Sequence, residues 1–271
     1  MHYSQRYDPN VFQDFNINGR ANTTFSKQFF STGIGFQLEP LLTYDFFEPR
    51  TYGRFYTYPT NSSFDYWFSS DYRKRFALDG NIFYRDFNEN NRNNVNFRVS
   101  PRFRANNKLF FVFNSQNDFK RDDIGYVNNV ENQIFFGIRD VKTLTNTLTN
   151  TYTFTNRMAV SLRIRHYWSE AVYARYQLLA EDGSLENTNY QNNHDVNFNA
   201  FNIDLVYVWN FAPGSEMTIV WKNAILQDDK DIYLNYFNNF RNTLESPQIN
   251  SISLKLLYYL DYLNVRNVFK K

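Results

Sequence analysis

The sequence predicts an all-β fold, an antiparallel transmembrane β-barrel of about 14 strands, and three observations support this prediction. Apolar and polar residues alternate along most of the chain, and aromatic residues make up 20% of it. The mean hydropathy is nevertheless -0.61, because Asn, Arg, Asp and Thr occupy the positions between the aromatic residues. Transmembrane barrels combine these traits, since an apolar band and aromatic girdles face the lipid while the interior is polar.

Composition excludes several classes of protein. The 271 residues carry a formal charge of +2, which is too balanced for attraction to nucleic acid by bulk charge. The chain has no cysteine, so it forms no disulfide and no thiolate metal site. No run of 18 apolar residues occurs, which excludes a helical membrane span. We therefore expect no nucleic-acid partner and no cofactor. The first ten residues also lack the regions of a signal peptide.

Alternation with a period of two predicts each strand. In residues 94–104, for example, Val95, Phe97 and Val99 share one parity, and Arg98 lies on the other. We expect residues 1–10 to form an N-terminal extension, residues 11–264 the barrel and residues 265–271 a tail. The sequence leaves open that 157–180 form one strand. The predicted strands are 11–26, 28–44, 52–58, 63–70, 75–87, 94–104, 108–120, 130–139, 143–155, 158–168, 171–180, 195–211, 216–227 and 249–264.

The predicted connections differ in length, as the short periplasmic turns and longer external loops of barrels do. Two connections, 182–194 and 228–248, are long and rich in Asn and Asp. The strings APGS (212–215), DVK (140–142) and ANNK (105–108) are predicted to be short periplasmic turns.

The strand predicted near the C-terminus, residues 251–263, has an unusually long apolar face. Its same-parity residues are Ile252, Leu254, Leu256, Tyr258, Leu260 and Tyr262. This pattern looks like the C-terminal signal that barrel-insertion machinery recognises. We therefore expect that machinery and outer-membrane lipid to be partners of the chain.

Five strings of the sequence are distinctive, namely YDFFEPRTYGRFY (44–56), SSDYRKRFALDG (69–80), RIRHYWS (163–169), EDGSL (181–185) and FNIDLVYVWNFAPGSEMTIVWKN (201–223). They resemble the C-terminal barrel domain of an uncharacterised outer-membrane family of the Bacteroidota. The longer members of that family carry a family-9-like carbohydrate-binding module ahead of the barrel. The resemblance implies an outer-membrane barrel and a link to glycan handling, but it implies no catalytic residues. It leaves open that this chain is the C-terminal part of a larger barrel.

Charged residues on the polar parity are the candidates for lining a lumen. One interpretation is a basic lumen that attracts anionic solutes. The other is that the arginines pair with Asp79, Glu131 or Asp204 and brace the wall. The candidates are Arg98, Arg102, Arg104, Arg163, Arg165, Asp204 and Lys255.

Aromatic residues are the candidates for membrane anchoring and ligand contact. Trp168, Trp209 and Trp221 lie near predicted strand ends and are predicted to form the aromatic girdle, although such rings also serve as platforms for sugars or single-stranded nucleic acid. The external loops offer three better candidates for ligand contact. These are Tyr190, Tyr233 and Tyr236.

No catalytic or metal site is predicted. Only His166, near Ser169, and His194, beside Asp195, could act as a base for a nucleophile, and neither lies in a recognisable motif. Metal-ligand spacing is also absent from the sequence.

The sequence therefore predicts an outer-membrane channel, or a component or anchor of an envelope complex, with a link to glycan handling. Other outer-membrane or periplasmic proteins would be its partners in such a complex. A soluble all-β glycan-binding module is the alternative, and an outer-membrane hydrolase is the third hypothesis.

Overall fold

A computed structural model describes residues 1–8, 10–232 and 235–261, and it confirms the all-β prediction. The described residues form a 13-stranded antiparallel sheet, a separate two-stranded sheet of β4 and β5, and one helix. The elements are β1 (His2–Arg6), β2 (Val11–Phe25), β3 (Phe30–Glu39), β4 (Thr43–Asp45), β5 (Tyr56–Tyr58), β6 (Asn61–Ser69), β7 (Phe76–Phe87), β8 (Asn93–Arg104), β9 (Leu109–Val130), β10 (Gln133–Thr155), β11 (Met158–Leu179), β12 (Leu185–Asn187), β13 (Val196–Ala212), β14 (Ser215–Asp229), α1 (Tyr236–Glu245) and β15 (Gln248–Leu257).

Neighbouring strands in the main sheet are mostly neighbours along the chain. The order is β1-β2-β3-β6-β7-β8-β9-β10-β11-β13-β14-β15, and β12 pairs with the end of β11. Among the described residues, β1 and β15 each have one partner strand, so the sheet has two edges and ring closure is not observed. Strand β1 lies within the predicted N-terminal extension, where its pairing with β2 adds it to the sheet.

The strand register keeps the two faces of the main sheet chemically distinct. Ile34, Tyr66, Ile82 and Phe97 lie opposite one another across β3, β6, β7 and β8. Their side chains are between 36% and 50% exposed. We call this side of the sheet the apolar face and the opposite side the polar face.

The accessible surface shows that both faces remain uncovered over much of the sheet. The chain exposes 17452 Å². A compact protein of this mass would expose about 12,000 Å². The excess is the area expected for a sheet that does not bury one of its faces in a conventional core.

The two ends of the sheet differ in their connections. The end that we call the turn end carries only short ones, namely 26–29, 70–75, 105–108, 156–157 and 213–214. The opposite, loop end carries 7–10, 40–60, 88–92, 131–132, 180–195 and 230–247. The predicted turns APGS and ANNK lie at the turn end, and a periplasmic position of this end stays a prediction.

The predicted turn at 140–142 is wrong, because these residues continue β10, which is 23 residues long. The predicted strands 130–139 and 143–155 are therefore one strand, and 157–180 likewise form the single strand β11. Strand β9 bulges beside Asp140, where Asp122 has a φ of 48°. Pairing on both sides overrides the local turn signal, and the bulge absorbs the misfit.

Helix α1 lies within residues 228–248, which the sequence predicted to be a long connection. Asn235 caps it by accepting a hydrogen bond from the Phe237 backbone N–H at 2.9 Å. Its buried residues include Asn239 and Thr243, both 0% exposed. Tyr236 and Phe240 have the spacing of a helical apolar face, but Asn239 and Thr243 complete the packed side, so the apolar signal covers only part of it. Within the described residues, the structure contains no helix with the length and apolarity needed to cross a membrane.

The last described strand is shorter than predicted. Strand β15 ends at Leu257, and residues 258–260 are irregular. Tyr262 and the tail 265–271 lie outside the described residues. Ile252, Leu254 and Leu256 share the apolar face, since they lie opposite Trp221, Ile219 and Met217.

The helix α1 is held to the sheet by a buried amide network that can be tested. Asn197 and Asn199 donate to Asn239 Oδ1 at 3.2 and 3.1 Å, and Asn239 donates to Asn199 Oδ1 at 2.7 Å. We expect Asn239→Ala to lower the free energy of unfolding by about 1–3 kcal/mol, because buried amides would lose their partner. Thermal unfolding and hydrogen exchange in α1 would measure this. Asn238→Ala, at the exposed neighbouring position, is the control, and equal losses would contradict the buried network.

Candidate functional site

The candidate site is the polar face, where the structure places the predicted lumen-lining residues. Arg98, Arg102 and Arg104 follow one another along β8. Arg102 Nε donates to Asp79 Oδ2 at 3.1 Å, and its guanidinium lies 4.4 Å from the Tyr72 ring centroid. Within the described part of the chain, Arg98 and Arg104 form no ion pair. Pairing with an acid is therefore observed for Arg102, whereas a basic lumen lined by Arg98 and Arg104 stays a prediction.

The remaining predicted residues lie elsewhere on the same face. Arg163 is opposite Asp204 in the register of β11 and β13, and Arg165 donates to Asn202 at 3.2 Å. Lys255 lines a cavity of about 570 Å³ at the turn end. Glu131, a predicted partner of the arginines, lies instead in a connection at the loop end.

A larger cavity lies on the polar face between β2 and β8. Its volume is about 690 Å³, and we call it the wall cavity. Only Arg98 among its lining residues was identified from the sequence. Asp65 and Trp67 alternate with Phe64 and Tyr66 along β6. This alternation could have identified the remaining lining residues as members of the polar face. The side chains of the polar face that line it are Asn18, Arg20, Gln37, Ser63, Asp65, Trp67, Asn81, Phe83 and Arg98.

One row of paired residues crosses the wall cavity. Asn22, Gly33, Trp67, Asn81 and Arg98 lie opposite one another on five successive strands. The Trp67 indole N–H donates to Asn22 Oδ1 at 3.2 Å. A Cβ at Gly33 would lie 2.5 Å from that indole nitrogen, so the glycine gives the ring room to lie against the sheet.

A second row lies beside the first. Arg20, Gly35, Asp65 and Phe83 are opposite one another on β2, β3, β6 and β7. One terminal nitrogen of Arg20 is 3.4 Å from each carboxylate oxygen of Asp65. The negative charge of Asp65 is thus compensated by the positive charge of Arg20, which lines the same cavity.

Residues 40–60, which we call the crossing segment, lie across the sheet at the loop end. The ring of Tyr44 is 6.2 Å from that of Phe12 on β2. Tyr58 lies 5.5 Å from Phe87 on β7. Contacts with β9 and β10 continue this packing, in a cluster of Tyr56, Tyr58, Ile124, Tyr126, Ile134, Phe136, Leu179 and Leu185. The predicted barrel strand 52–58 is therefore wrong, because these residues pack across the sheet instead of pairing within it.

Hydrogen bonds fix the crossing segment at both sides. Arg92, which is 2% exposed, donates to the Tyr56 hydroxyl at 3.0 Å and to Glu89 at 2.8 Å. Burial raises the pKa of Tyr56 to about 12, so its hydroxyl stays neutral near pH 7. Arg54 donates to the carbonyl oxygens of Leu179 and Ala180 at 2.8 and 2.7 Å.

The two ends of the sheet carry opposite charge. The connections of the turn end contain six basic residues and one acidic residue, Asp71. Those of the loop end contain eleven acidic and five basic residues. The basic residues of the turn end are Lys27, Arg73, Lys74, Arg75, Lys108 and Arg157.

Two of the three predicted girdle residues lie on the apolar face, and their role in a girdle stays a prediction. Trp209 and Trp221 lie on the apolar face with Leu205. Trp168 is only 1% exposed, because it donates to Asn197 at 2.9 Å and packs against Tyr236 of α1. It is therefore not a girdle residue.

The predicted ligand-contact tyrosines are used for packing where they are described. Tyr190 stacks on Phe135 at 4.3 Å and hydrogen-bonds His194 at 2.8 Å. The Tyr236 hydroxyl hydrogen-bonds Asn146 and His166, both at 3.1 Å, so it does not project from a free loop. Tyr233 lies outside the described residues.

Of the two histidines considered as bases, His166 lies apart from Ser169, the hydroxyl near it in the sequence. His166 is buried beneath α1 and hydrogen-bonds Asn199 at 3.3 Å. Ser169 lies on the opposite face, where it hydrogen-bonds Thr143 at 3.0 Å. The described residues contain no group of three or more His, Cys, Asp or Glu side chains that could hold a metal ion.

Comparisons with known proteins add a family. No curated protein matches the chain. A solved structure described as the NanC porin in a rhombohedral crystal form is similar at 10% identity, covering 90% of this chain and 93% of that chain, with a TM-score of 0.29. The family model described as "Domain of unknown function (DUF5916)" matches residues 1–269, and the chain therefore belongs to the DUF5916 family.

Proposed function

We propose that this protein is an outer-membrane β-barrel whose polar face lines a water-filled lumen and passes small anionic solutes. The observation that carries the proposal is the exposed apolar face, which the register continues from β3 through β8 and again along β15. The resemblance of the sequence to barrels that follow a carbohydrate-binding module extends the proposal to glycan handling.

Lipid is the solvent that suits the apolar face. Leu254 is 65% exposed and Phe97, Val99 and Phe103 are between 37% and 45% exposed. An apolar surface that covers several strands is unusual on a monomer in water. Strand β8 has 12 residues, and about 9–11 are enough for a tilted strand to cross the bilayer core.

Water is the solvent that suits the polar face. Arg98 and Arg104 are exposed there, and a charged group loses much free energy when it is transferred from water to hydrocarbon. Because these two arginines form no ion pair with another described residue, their field acts on solutes in the lumen. This supports a preference for anions.

The crossing segment narrows the passage at the loop end in this proposal. Its rings contact β2, β7 and β10, and Arg92 and Arg54 hold it by hydrogen bonds. A fixed obstruction of this kind restricts a lumen to small solutes.

The facing of β15 gives the first prediction of the proposed function. We expect Leu254→Arg to prevent membrane insertion or to cost about 2–4 kcal/mol, since it places a charge in lipid. Ser253→Arg, one position away on the polar face, should be tolerated. Heat-modifiable gel mobility and detergent dependence would measure folding and insertion. Equal damage from both substitutions, or a wild-type protein that stays folded and monomeric without detergent, would favour a soluble module instead.

The arginines of β8 give the second prediction. Planar-bilayer recordings should show a pore that prefers anions, and the preference should weaken at 1 M salt, where the screening length is about 3 Å. Arg98→Ser and Arg104→Ser together should reduce the preference. Arg102→Ser should change it less, because Asp79 already compensates that charge. A folded protein without conductance would overturn the channel and favour an anchor or a subunit of a larger assembly.

The crossing segment gives the third prediction. Replacing Tyr56 and Arg92 by Ala removes the hydrogen bond and the buried ring that hold the segment. We expect single-channel conductance to rise while the anion preference is retained. Tyr52→Ala, at an 83% exposed position of the same segment, should leave conductance unchanged. Unchanged conductance in the double variant would show that the segment does not limit the passage.

A further inference from the structure

We infer that the wall cavity binds a sugar acid, with the sugar ring against Trp67 and the carboxylate on Arg98. The inference deepens the proposed function, because it names the class of solute that the polar face would select. It requires a water-filled polar face, but the binding itself does not require a conducting pore.

The register sets the size of the ligand. Trp67 on β6 and Arg98 on β8 are separated by one strand, on which Asn81 lies opposite both. Strands are spaced about 4.8 Å apart, so the two residues start about 10 Å from each other. The Trp67 indole leans towards Asn22 and away from Arg98, so the span above Asn81 is long enough for a single six-membered sugar ring. The cavity volume of about 690 Å³ also lies in the range of small-molecule sites.

The lining combines the three kinds of group that recognise a sugar acid. Trp67 and Phe83 offer aromatic faces for the apolar side of a ring. Side-chain amides and a hydroxyl can donate to and accept from ring hydroxyls. A guanidinium donates two parallel, charge-assisted hydrogen bonds to a carboxylate, and a neutral sugar has no charged acceptor for them. The amides and the hydroxyl belong to Asn18, Gln37, Asn81 and Ser63.

The cavity is organised before a ligand arrives. Asn22 fixes the Trp67 ring at 3.2 Å, and Gly33 leaves room for it. Arg20 compensates Asp65, so this carboxylate does not cancel the charge of Arg98. Arg98 thus remains the cation of the cavity without an ion-pair partner among the described residues.

A smaller cavity provides a contrast. At the turn end, Lys74, Arg75, Arg102 and Arg104 line a cavity of about 200 Å³. That site has more positive charge but less room, so it suits small anions without a ring. A preference for an anion with a sugar ring over a small anion therefore distinguishes the wall cavity from a site that attracts any anion.

Isothermal titration calorimetry on the detergent-solubilised protein tests the inference. The probes are glucuronate, glucose and inorganic phosphate at one ionic strength. We expect saturable binding of glucuronate, with glucose and phosphate each at least about tenfold weaker, because one lacks the carboxylate and the other the ring.

Variants locate the site. Arg98→Gln should reduce the affinity for glucuronate to that for glucose, and Trp67→Leu should weaken both sugars. Trp67→Phe, which keeps a ring, should retain the preference for glucuronate if the Leu variant is lost through misfolding. Lys222→Gln makes the same charge change at an exposed position of the polar face on β14 and should leave the affinity unchanged.

Three outcomes would overturn the inference. These are no binding of glucuronate, phosphate binding as tight as glucuronate binding, and glucuronate binding that is insensitive to both Arg98→Gln and Trp67→Leu in folded protein. The proposed channel is tested separately by conductance. A conducting protein that does not bind glucuronate would remove only this inference, and glucuronate binding without conductance would remove only the channel.

Discussion

The register of the antiparallel strands is the constraint on which the rest of the structure depends. Side chains alternate between faces, so a slip of one residue in any strand would move its apolar residues to the polar side. In this chain the register holds Ile34, Tyr66, Ile82 and Phe97 in one row and Gly33, Trp67, Asn81 and Arg98 in the adjacent row on the other face. The same pairing thus produces the apolar surface and assembles the wall cavity from residues distant in sequence.

At the loop end, packing and side-chain hydrogen bonds position the parts of the chain that are not paired in the main sheet. The long strands β9, β10 and β11 extend past their shorter neighbours, and two additions cover their loop-end region. The crossing segment packs Tyr56 against Phe136, and α1 buries Trp168 and Asn239. Both additions use polar anchors, an arginine–tyrosine hydrogen bond in one case and an amide network in the other. Most buried polar groups in proteins are hydrogen-bonded, so the partners of these anchors favour one position for each addition.

The sequence was a good guide to strands and facing, because a period of two reports directly on the pleat. It placed Arg98, Arg102 and Arg104 on one face without any structure. It failed where tertiary contacts decide the outcome. Asp140 looks like a turn residue but continues a strand that is paired on both sides, and Trp168 follows girdle parity but lies beneath a helix. The parity of Trp67 could be read, but its row partner Arg98 is 31 positions away, and only the register shows that they meet.

Unequal strand lengths give the loop end a slanted rim. Strands β9, β10 and β11 have 22 or 23 residues, whereas β6, β7 and β8 have between 9 and 12. At about 3.3 Å per residue, the difference is on the order of 30 Å. In a membrane, the long strands would stand above the bilayer as a rigid wall while the short side stayed level with the lipid headgroups. A solute arriving at the low rim would therefore meet the crossing segment, which packs on β2 and β7, before it reached the wall cavity.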